Sequence, residues 1–323
     1  MKVLVTGGSG FLGQRLIHAL CRRGELRRGL QQQTISQIRA LDVVRAPSGL
    51  SDPRVQYLEG DLTDRAVLAA ALDSGVDSVF HLAAVVSGAA EADYDLGMRV
   101  NLDGTRALLD ACRRLSVPPI FVFASSVAVF GGDLPGVVED NTTPAPQSSY
   151  GVQKLIGELL VCDCTRRRFI DGRAVRLPTI VVRPGKPNAA ASSFASGIIR
   201  EPLAGVEAIC PVAADTRLWI MSPASAVSNL IHAHETSTAA WGYQRAVSLP
   251  GLAVSVREML DALRRVGGET AVQRVCFQTD ERIAQIVRGW PARFNAARAL
   301  SLGFTGDGDI ETIVRAYAEE HAG

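Results

Sequence analysis

The glycine-rich stretch VTGGSGFLG, residues 5–13, is the feature that most constrains the fold of this chain. It follows an apolar, strand-like run, KVLVTG (2–7), and leads into an amphipathic helical pattern, so it forms a strand-to-helix turn. Gly8, Gly10 and Gly13 satisfy the G-x-G-x-x-G spacing. Glycine at these positions lets the backbone approach a pyrophosphate, which the amino terminus of the next helix stabilises. The turn therefore predicts a dinucleotide site in an α/β fold.

Apolar runs alternate with helical patterns through about residue 180. This alternation predicts a doubly wound parallel sheet, the Rossmann arrangement, with helices on both faces. The predicted helices include GQRLIHALCRR (13–23) and DRAVLAAALDSG (64–75). The predicted strands are KVLVTG (2–7), SQIRALDVV (36–44), VQYLEGD (55–61), SVFHLAA (78–84), IFVFASS (120–126) and GRAVRLPTIV (172–181).

The composition changes after residue 182. RPGKPNAAASSF (183–194) reads as a loop rich in Pro, Ala and Ser, and the remainder mixes short helices with few strong strands, broken by turn signals. We therefore predict a dinucleotide-binding domain over residues 1–181, which also receives part of 222–250. Residues 182–323 are predicted to form a smaller, mainly substrate-binding region.

Charge and cysteine content argue against several classes of protein. The net charge of +1 gives no reason to expect a nucleic acid partner. No run of about 18 apolar residues predicts a membrane span. The six cysteines form neither a CxxC pair nor a His/Cys cluster, so neither a metal site nor a disulfide framework is predicted. MKVLVTGG begins as a strand and not as a signal peptide, which favours a soluble, cytoplasmic setting.

An acid at the end of the second predicted strand indicates which dinucleotide binds. Asp42 is the candidate, because a carboxylate there binds the adenosine ribose and repels a 2′-phosphate, which favours NAD over NADP. It lies further beyond Gly13 than the usual roughly 20 residues. The polar stretch GELRRGLQQQTIS (24–36) accounts for the excess as a longer connection, although Arg45 lies close enough to compete with the preference. Asp61 ends the third predicted strand and is placed to face the adenine.

Tyr150 and Lys154 lie one helical turn apart in SSYGVQK (148–154), a spacing that an ordinary surface helix would also accept. A tyrosine that works as a base near pH 7 needs its pKa lowered by about 3 units, or about 4 kcal/mol. One neighbouring cation typically supplies about 1–3 units, so Lys154 is expected to supply most of the change and an oxidised nicotinamide ring the rest. Ser126 ends the fifth predicted strand, at the sheet edge where ligands bind, and its hydroxyl can bind the reacting oxygen.

Five motifs carry a resemblance to the extended short-chain dehydrogenase/reductase family: the glycine loop, HLAA (81–84), NLDGT (101–105), SSVAVFG (125–131) and Y-x-x-x-K. The resemblance covers nearly the whole chain and implies a catalytic set of Ser126, Tyr150 and Lys154, of which Lys154 also holds the nicotinamide ribose. It further implies a homodimer, and His81 is expected to be a packed strand residue. The implied NAD site is lined by Gly7, Gly10, Phe11, Leu12, Gly13, Asp42, Asp61, Leu62, Ala83, Asn101, Tyr150, Lys154 and Pro178.

The family contains oxidoreductases, sugar-nucleotide epimerases and dehydratases. Its 4,6-dehydratases follow the catalytic hydroxyl with an Asp-Glu pair, where this chain has Val127 and Ala128. Its epimerases typically carry an asparagine and a tyrosine where this chain has Thr179 and Phe130. These departures weaken the alternative of an NAD-dependent nucleotide-sugar 4-epimerase without removing it. A non-catalytic NAD-binding protein is a further alternative, which the intact Ser/Tyr/Lys set disfavours.

The stretch RLPTIVVRPGKPNAAASSFASGIIREPL (176–203) is similar to that of family members that dehydrogenate a small sugar acid. The resemblance implies NAD-dependent oxidation of the C2 hydroxyl of D-erythronate to 2-dehydro-D-erythronate. Arg183 and Lys186 lie at a rigid Pro-Gly-Lys-Pro turn after the sixth predicted strand, and arginine offers a planar fork that matches a carboxylate. The candidate substrate-binding residues are Ser87, Ser126, Tyr150, Arg183, Lys186, Asn188 and Arg217.

Overall fold

The six predicted strands and one further strand, Ala246–Ser248, contribute to a seven-stranded parallel sheet in the computed structural model, which describes residues 1–45, 50–73, 75–185 and 190–321. The strands are, in chain order, β1 (Lys2–Thr6), β2 (Glu25–Arg28), β3 (Gln31–Thr34), β4 (Gln37–Asp42), β5 (Val55–Glu59), β6 (Ser78–His81), β7 (Ile120–Ser126), β8 (Asp171–Leu177), β9 (Thr179–Ile180), β10 (Ala208–Cys210), β11 (Arg217–Met221), β12 (Ala246–Ser248), β13 (Leu252–Ser255) and β14 (Val275–Phe277). The order across the main sheet is β12-β8-β7-β6-β1-β4-β5, and all adjacent pairs are parallel. The predicted doubly wound parallel fold is confirmed.

The strand order reverses at β1, which fixes where a ligand can bind. From β1 the chain proceeds to β4 and β5 on one side, whereas β6, β7, β8 and β12 follow on the other. Connections that leave neighbouring strands in opposite directions open a crevice at the carboxyl ends of those strands. The glycine loop after β1, the segment after β6 and Ser126 at the end of β7 all border this crevice.

Helices cover both faces of the sheet. They are α1 (Phe11–Arg23), α2 (Arg65–Leu72), α3 (Ser87–Ala92), α4 (Tyr94–Gly97), a π-helix (Met98–Gly104), α5 (Thr105–Cys112), a 3₁₀ turn (Val127–Val129), α6 (Ser149–Arg166), α7 (Ser193–Leu203), α8 (Pro223–Glu235), α9 (Thr238–Trp241), α10 (Val256–Val272), α11 (Glu281–Arg288), α12 (Ala297–Ser301) and α13 (Ile310–His321). Leu16 of α1 and Leu230 of α8 share the core on one face. Leu68 of α2, Leu109 of α5 and Val161 of α6 share the core on the other.

Two predicted segments differ from the structure for identifiable reasons. The run GRAVRLPTIV is not one strand but two, β8 in the main sheet and β9 in a separate sheet. The break falls at Pro178, which has no N–H to donate to a ladder. The connection 24–36 is not a plain loop but contains the antiparallel hairpin β2–β3, with Glu25 paired to Thr34 and a turn at Gly29, whose φ is +62°.

The chain beyond Pro178 builds a second core and then returns to the first. β9 pairs with β11, which pairs with β13, and helices α7, α10 and α13 bury Ile198, Leu263 and Val314 in one cluster. The helices are longer than the short ones predicted there: α10, Val256–Val272, begins at a capping box and continues to a kink at Gly268, whose φ is +78°. Between these elements α8 packs on the main sheet and β12 pairs with β8 as its edge strand.

No helix within the described ranges combines the length and the apolar composition needed to cross a membrane.

Candidate active site

The glycine loop is packed so tightly that Gly7 and Gly13 have no room for a side chain. A Cβ at Gly13 would lie 2.1 Å from the carbonyl oxygen of Gly7, and one at Gly7 would lie 2.7 Å from the nitrogen of Ala83 after β6. Gly7 also has a φ of +70°, which favours glycine. Helix α1 begins at Phe11, and its cap, Gly10, offers no side chain to its first N–H groups. These groups fit a pyrophosphate, and Phe11 and Leu12 border the same opening half-buried.

Asp42 ends β4 beside this loop. Its Oδ2 accepts a hydrogen bond from the backbone nitrogen of Ser9 at 3.0 Å, and the residue is half-buried. One carboxylate oxygen therefore orders the loop while the group remains at the crevice, as an adenosine-ribose ligand requires. Arg45 is exposed, and residues 46–49, which follow it, lie outside the described part of the chain.

Asp61 is engaged by its own surroundings. Its Oδ1 accepts bonds from the nitrogen and the hydroxyl of Thr63, both at 2.8 Å, and its Oδ2 pairs with Arg99 at 2.6 Å. These contacts, led by the Thr63 N–H, hold the pKa of Asp61 below its usual range. Leu62 beside it is buried. The carboxylate orders the turn before α2, and the structure adds no separate indication of a contact with adenine.

A buried polar chain joins the cofactor loop to the helix that carries Tyr150. Thr6 Oγ1 lies 2.7 Å from His81 Nδ1, and His81 Nε2 lies 2.8 Å from Thr105 Oγ1. Asn101, in the π-helix, accepts from the nitrogen of Val85 at 2.7 Å and donates to Gln153 of α6 at 2.7 Å. Burial lowers the pKa of His81 to about 3, so the ring is neutral at pH 7, and its packed role is confirmed.

Close packing at the start of α6 brings Tyr150 to Ser126. A Cβ at Gly151 would lie 2.2 Å from the carbonyl oxygen of Ala128, so the first turn of α6 lies directly against the turn after β7. The Ser126 hydroxyl lies beside the Tyr150 phenol and lowers its pKa. It also accepts from the nitrogen of Ala128 at 3.1 Å, which fixes its orientation. The structure thus brings together the hydroxyl and the phenol that the sequence singled out.

Lys154 lies one turn further along α6, within the protein. Its Nζ donates to the carbonyl oxygen of Ala124 at 2.8 Å and lies 4.8 Å from the centroid of the Phe123 ring and 5.6 Å from that of Tyr150. Burial lowers the pKa of Lys154 to about 8, which the carboxylate of Glu158 partly offsets. The Lys154 ammonium therefore begins to lose its proton only slightly above neutral pH.

The pKa of Tyr150 moves in the direction opposite to the one predicted. Burial raises it to about 12, against the lowering effects of the Ser126 hydroxyl and of the Arg183 charge. The prediction that Lys154 supplies most of a depression is wrong, because its ammonium is turned to the Ala124 carbonyl and is itself poorly stabilised by burial. Side chains of the chain alone do not make Tyr150 a base near pH 7.

Arg183 follows β9 and lies beside Tyr150. Its guanidinium donates to the Ser192 hydroxyl at 3.2 Å, while its backbone is held by Ser196 at 3.0 Å and by Arg200 at 2.7 Å. Arg200 pairs with Glu201, but no carboxylate among the described residues pairs with Arg183. Burial, and then the Arg200 charge, lower the pKa of Arg183. A half-buried cation without a counter-charge in these parts of the chain suits an anionic ligand.

The other candidates lie in three different settings. Ser87 is the first residue of α3, and Pro178 is buried between β8 and β9. Arg217 begins β11, at the end away from the residues that pair with β9, and its guanidinium lies 3.8 Å from Glu258. Lys186 and Asn188 lie outside the described residues. The structure therefore groups Arg183 with Tyr150 and Ser126, and leaves Arg217 at a distance.

Sequence reasoning missed a buried ionic network behind Lys154. Glu158 accepts a bidentate pair from Arg176, at 2.7 and 2.9 Å, and a bond from the Ser125 hydroxyl at 2.5 Å. The available signal was the spacing, because Glu158 follows Lys154 by the same four residues that separate Lys154 from Tyr150.

A doubly wound sheet with this crevice and with Ser126, Tyr150 and Lys154 at its edge defines an extended short-chain dehydrogenase/reductase. The model of the NAD dependent epimerase/dehydratase family matches residues 3–239, and the chain belongs to that family. Its cofactor is NAD, which the open α1 amino terminus and Asp42 fit.

Relatives narrow the comparison further. The chain is 57% identical over 320 residues to the D-erythronate dehydrogenase of Cupriavidus necator, which covers 99% of this chain and 98% of the relative. It is 43% identical over 319 residues to the D-erythronate dehydrogenase of Haemophilus influenzae, covering 99% of each. A crystal structure of a nucleoside-diphosphate-sugar epimerase from Agrobacterium tumefaciens is 42% identical, with a TM-score of 0.92 over 100% of this chain and 94% of that one.

Proposed function

We propose that this chain oxidises the C2 hydroxyl of D-erythronate to 2-dehydro-D-erythronate with NAD. The observation that carries the proposal is the Arg183 guanidinium, which lies beside the Tyr150 phenol without a carboxylate partner among the described residues. Two relatives named D-erythronate dehydrogenase, similar over nearly their whole lengths, support the identity of the acid.

The catalytic roles in this proposal follow the contacts. Tyr150 takes the proton of the C2 hydroxyl, and Ser126, whose hydroxyl lies beside the phenol, orients the same oxygen. Lys154 holds the nicotinamide ribose from its fixed position on the Ala124 carbonyl. When bound, NAD would supply the acceptor for the hydride of C2, and its positive ring would add a charge that lowers the Tyr150 pKa. The substrate thus loses one hydride and one proton.

Arg183 holds the substrate carboxylate in this proposal, so that C2 and not C3 faces the cofactor. The Ser192 hydroxyl accepts from the guanidinium at 3.2 Å and limits its orientations. Such positioning is a large part of the rate gain of many enzymes. Ser87, Lys186, Asn188 and Arg217 remain candidates for the substrate hydroxyls and for the carboxylate.

The proposed NAD site combines the glycine loop with the residues that support it. Asp42 binds the adenosine ribose, and Asn101 keeps the backbone after β6 in place through both polar groups of Val85. The other residues proposed to line the site are Gly7, Gly10, Phe11, Leu12, Gly13, Asp61, Leu62, Ala83, Tyr150, Lys154 and Pro178.

Asp42 should make kcat/KM about 100-fold or more higher with NAD than with NADP, because a like charge at the 2′-phosphate costs several kcal/mol. Steady-state kinetics with the two cofactors measures this ratio. Asp42→Ala should bring the two values closer together by weakening NAD and relieving the repulsion. Equal kcat/KM values with NAD and NADP in the wild type would mean that Arg45 determines the cofactor preference and that Asp42 only accepts the hydrogen bond from the Ser9 nitrogen.

A screen of four- to six-carbon aldonates for NADH production tests the substrate. D-erythronate should give the highest kcat/KM, because a single carboxylate anchor at Arg183 serves a short acid best. Erythritol, which has the same chain length without the charge, is the matched control and should be poor. No NADH from any aldonate would overturn the proposal.

An NAD-dependent nucleotide-sugar 4-epimerase is the second candidate, favoured by the 42% identity to the Agrobacterium tumefaciens nucleoside-diphosphate-sugar epimerase. An epimerase returns its hydride to the substrate, so it would convert UDP-sugars without net NADH. Interconversion of UDP-glucose and UDP-galactose, followed by chromatography, decides between the two candidates. We expect none, because the chain has Thr179 and Phe130 in place of the asparagine and tyrosine typical of the epimerases.

We further propose a homodimer, a cytoplasmic location and the two-part division of the chain. The exposed face of α6 carries Val152, 41% exposed, and Leu159, 63% exposed, which a second copy would cover.

Six free thiols suit the reducing compartment that a cytoplasmic location provides. Residues 1–181 with part of 222–250 would bind NAD, and 182–323 would mainly bind substrate. The return of β12 to the main sheet supports this division.

A further inference from the structure

Glu158 stands on the same face of α6 as the two residues proposed for catalysis. Tyr150, Lys154 and Glu158 succeed one another at intervals of four, so their side chains lie above one another on the helix. The Glu158 side chain is 4% exposed and that of Arg176 is 11% exposed. A carboxylate so deeply buried requires partners, and it has them in Arg176 and in the Ser125 hydroxyl.

The ionic network of Glu158, Arg176 and Ser125 connects α6 with β7 and β8. Arg176 belongs to β8, and its guanidinium also lies 4.9 Å from the centroid of the Phe130 ring, which fixes it from the other side. Ser125 immediately precedes Ser126 on β7. A Cβ at Gly157 would lie 2.6 Å from the Phe123 ring, so α6 packs on β7 without slack between Lys154 and Glu158.

We propose that Glu158 is a positioning residue that keeps Lys154 protonated for NAD binding, and that Arg176 limits this effect by sharing the carboxylate. The inference rests on the proposed role of Lys154 at the nicotinamide ribose. It goes beyond that role because it assigns the charge state of Lys154 to a buried pair of residues outside the proposed catalytic and NAD-binding sets.

The groups that face Lys154 make the sign of the effect clear. β7 presents the Ala124 carbonyl and the Phe123 ring, β6 presents the neutral His81, and α6 itself presents Tyr150 and Glu158. Of these, Glu158 supplies the negative charge that raises the pKa of Lys154, against burial, which lowers it to about 8. Without that charge Lys154 should lose its proton at a lower pH. Without Arg176 the carboxylate is less neutralised, and the proton should be held to a higher pH.

NADH titrations by fluorescence between pH 6 and pH 9.5 test the proposal with the full chain. In the wild type, Kd should rise as Lys154 deprotonates. Glu158→Gln should move the midpoint of that rise down by about 1 pH unit, as one nearby charge typically does. Arg176→Met should leave the midpoint unchanged or move it up. The matched control is Asp163→Asn, an exposed carboxylate on the same helix, which should not move it.

An unmoved midpoint in Glu158→Gln would overturn the proposal. An equally large downward shift of the midpoint in Arg176→Met would also overturn it. Both variants would then shift the midpoint the same way, as expected if each simply disturbed the packing of the site. If Glu158→Gln does not fold, the double variant with Arg176→Met removes both buried charges together, which proteins often tolerate. Its midpoint should match the shift expected for Glu158→Gln. No sugar acid enters these titrations, so an error in the proposed substrate would not affect them.

Discussion

Tyr150→Phe should lower kcat on D-erythronate by about 100- to 10,000-fold, the usual contribution of a positioned general base. NAD affinity should stay nearly unchanged, because Lys154 keeps its bond to the Ala124 carbonyl without the phenol. Steady-state kinetics and NADH titration measure the two quantities on the same preparations. The rest of the site needs no rearrangement, since Phe fills the same space beside Ser126.

Two further variants separate the role of Tyr150 from a general disturbance. Tyr243→Phe makes the same change at a tyrosine that is 88% exposed and should leave kcat as it is. Lys154→Ala should damage both turnover and NAD binding. A Tyr150→Phe enzyme that retained a tenth of the wild-type kcat would show that another group takes the proton.

Arg183→Ala should lower kcat/KM on D-erythronate by roughly 10- to 150-fold, the equivalent of about 1.5–3 kcal/mol for a charge-assisted contact. NAD affinity should change little. Arg183→Lys should recover only part of the loss, because an ammonium cannot reproduce the planar fork. Steady-state kinetics with D-erythronate and with erythritol measures the effect, and erythritol should lose little more in the variant.

The control for this series is Arg264→Ala, which removes an exposed arginine of α10 that pairs with Asp261 and Glu269. It should behave as the wild type. Normal kcat/KM on D-erythronate in Arg183→Ala would rule out Arg183 as the anchor and move attention to Lys186 or Arg217.

The main sheet could be predicted closely because its strands are apolar on both faces. IFVFASS matches β7 residue for residue, since a buried strand of a parallel sheet leaves a continuous apolar run. The hairpin β2–β3 could not be predicted in this way, because ELRR and QQQT are largely polar and do not form a continuous apolar run. Pattern reasoning detects burial, and it fails where a strand is held mainly by backbone hydrogen bonds.

The sequence predicts which residues form the candidate site, but it does not predict their pKa values. The spacing of Tyr150 and Lys154 places them on one face of a helix. It does not show how deeply the two side chains are buried. Burial raises the pKa of Tyr150, against the sequence-based expectation, and it lowers the pKa of Lys154, for which the spacing gave no expectation. Glu158 and Arg176 were missed because charged residues are ordinarily exposed, and only the fold places them together.

The return of the chain to the main sheet determines how the gene can be divided. A chain cut after residue 181 lacks β12, so β8 becomes an open edge, and it lacks α8, so the apolar surface around Leu16 loses its cover. We therefore expect that neither piece folds as a separate module. Altering substrate preference by exchange between relatives calls instead for transplanting internal cassettes such as 183–203, with both ends rejoined to the same scaffold.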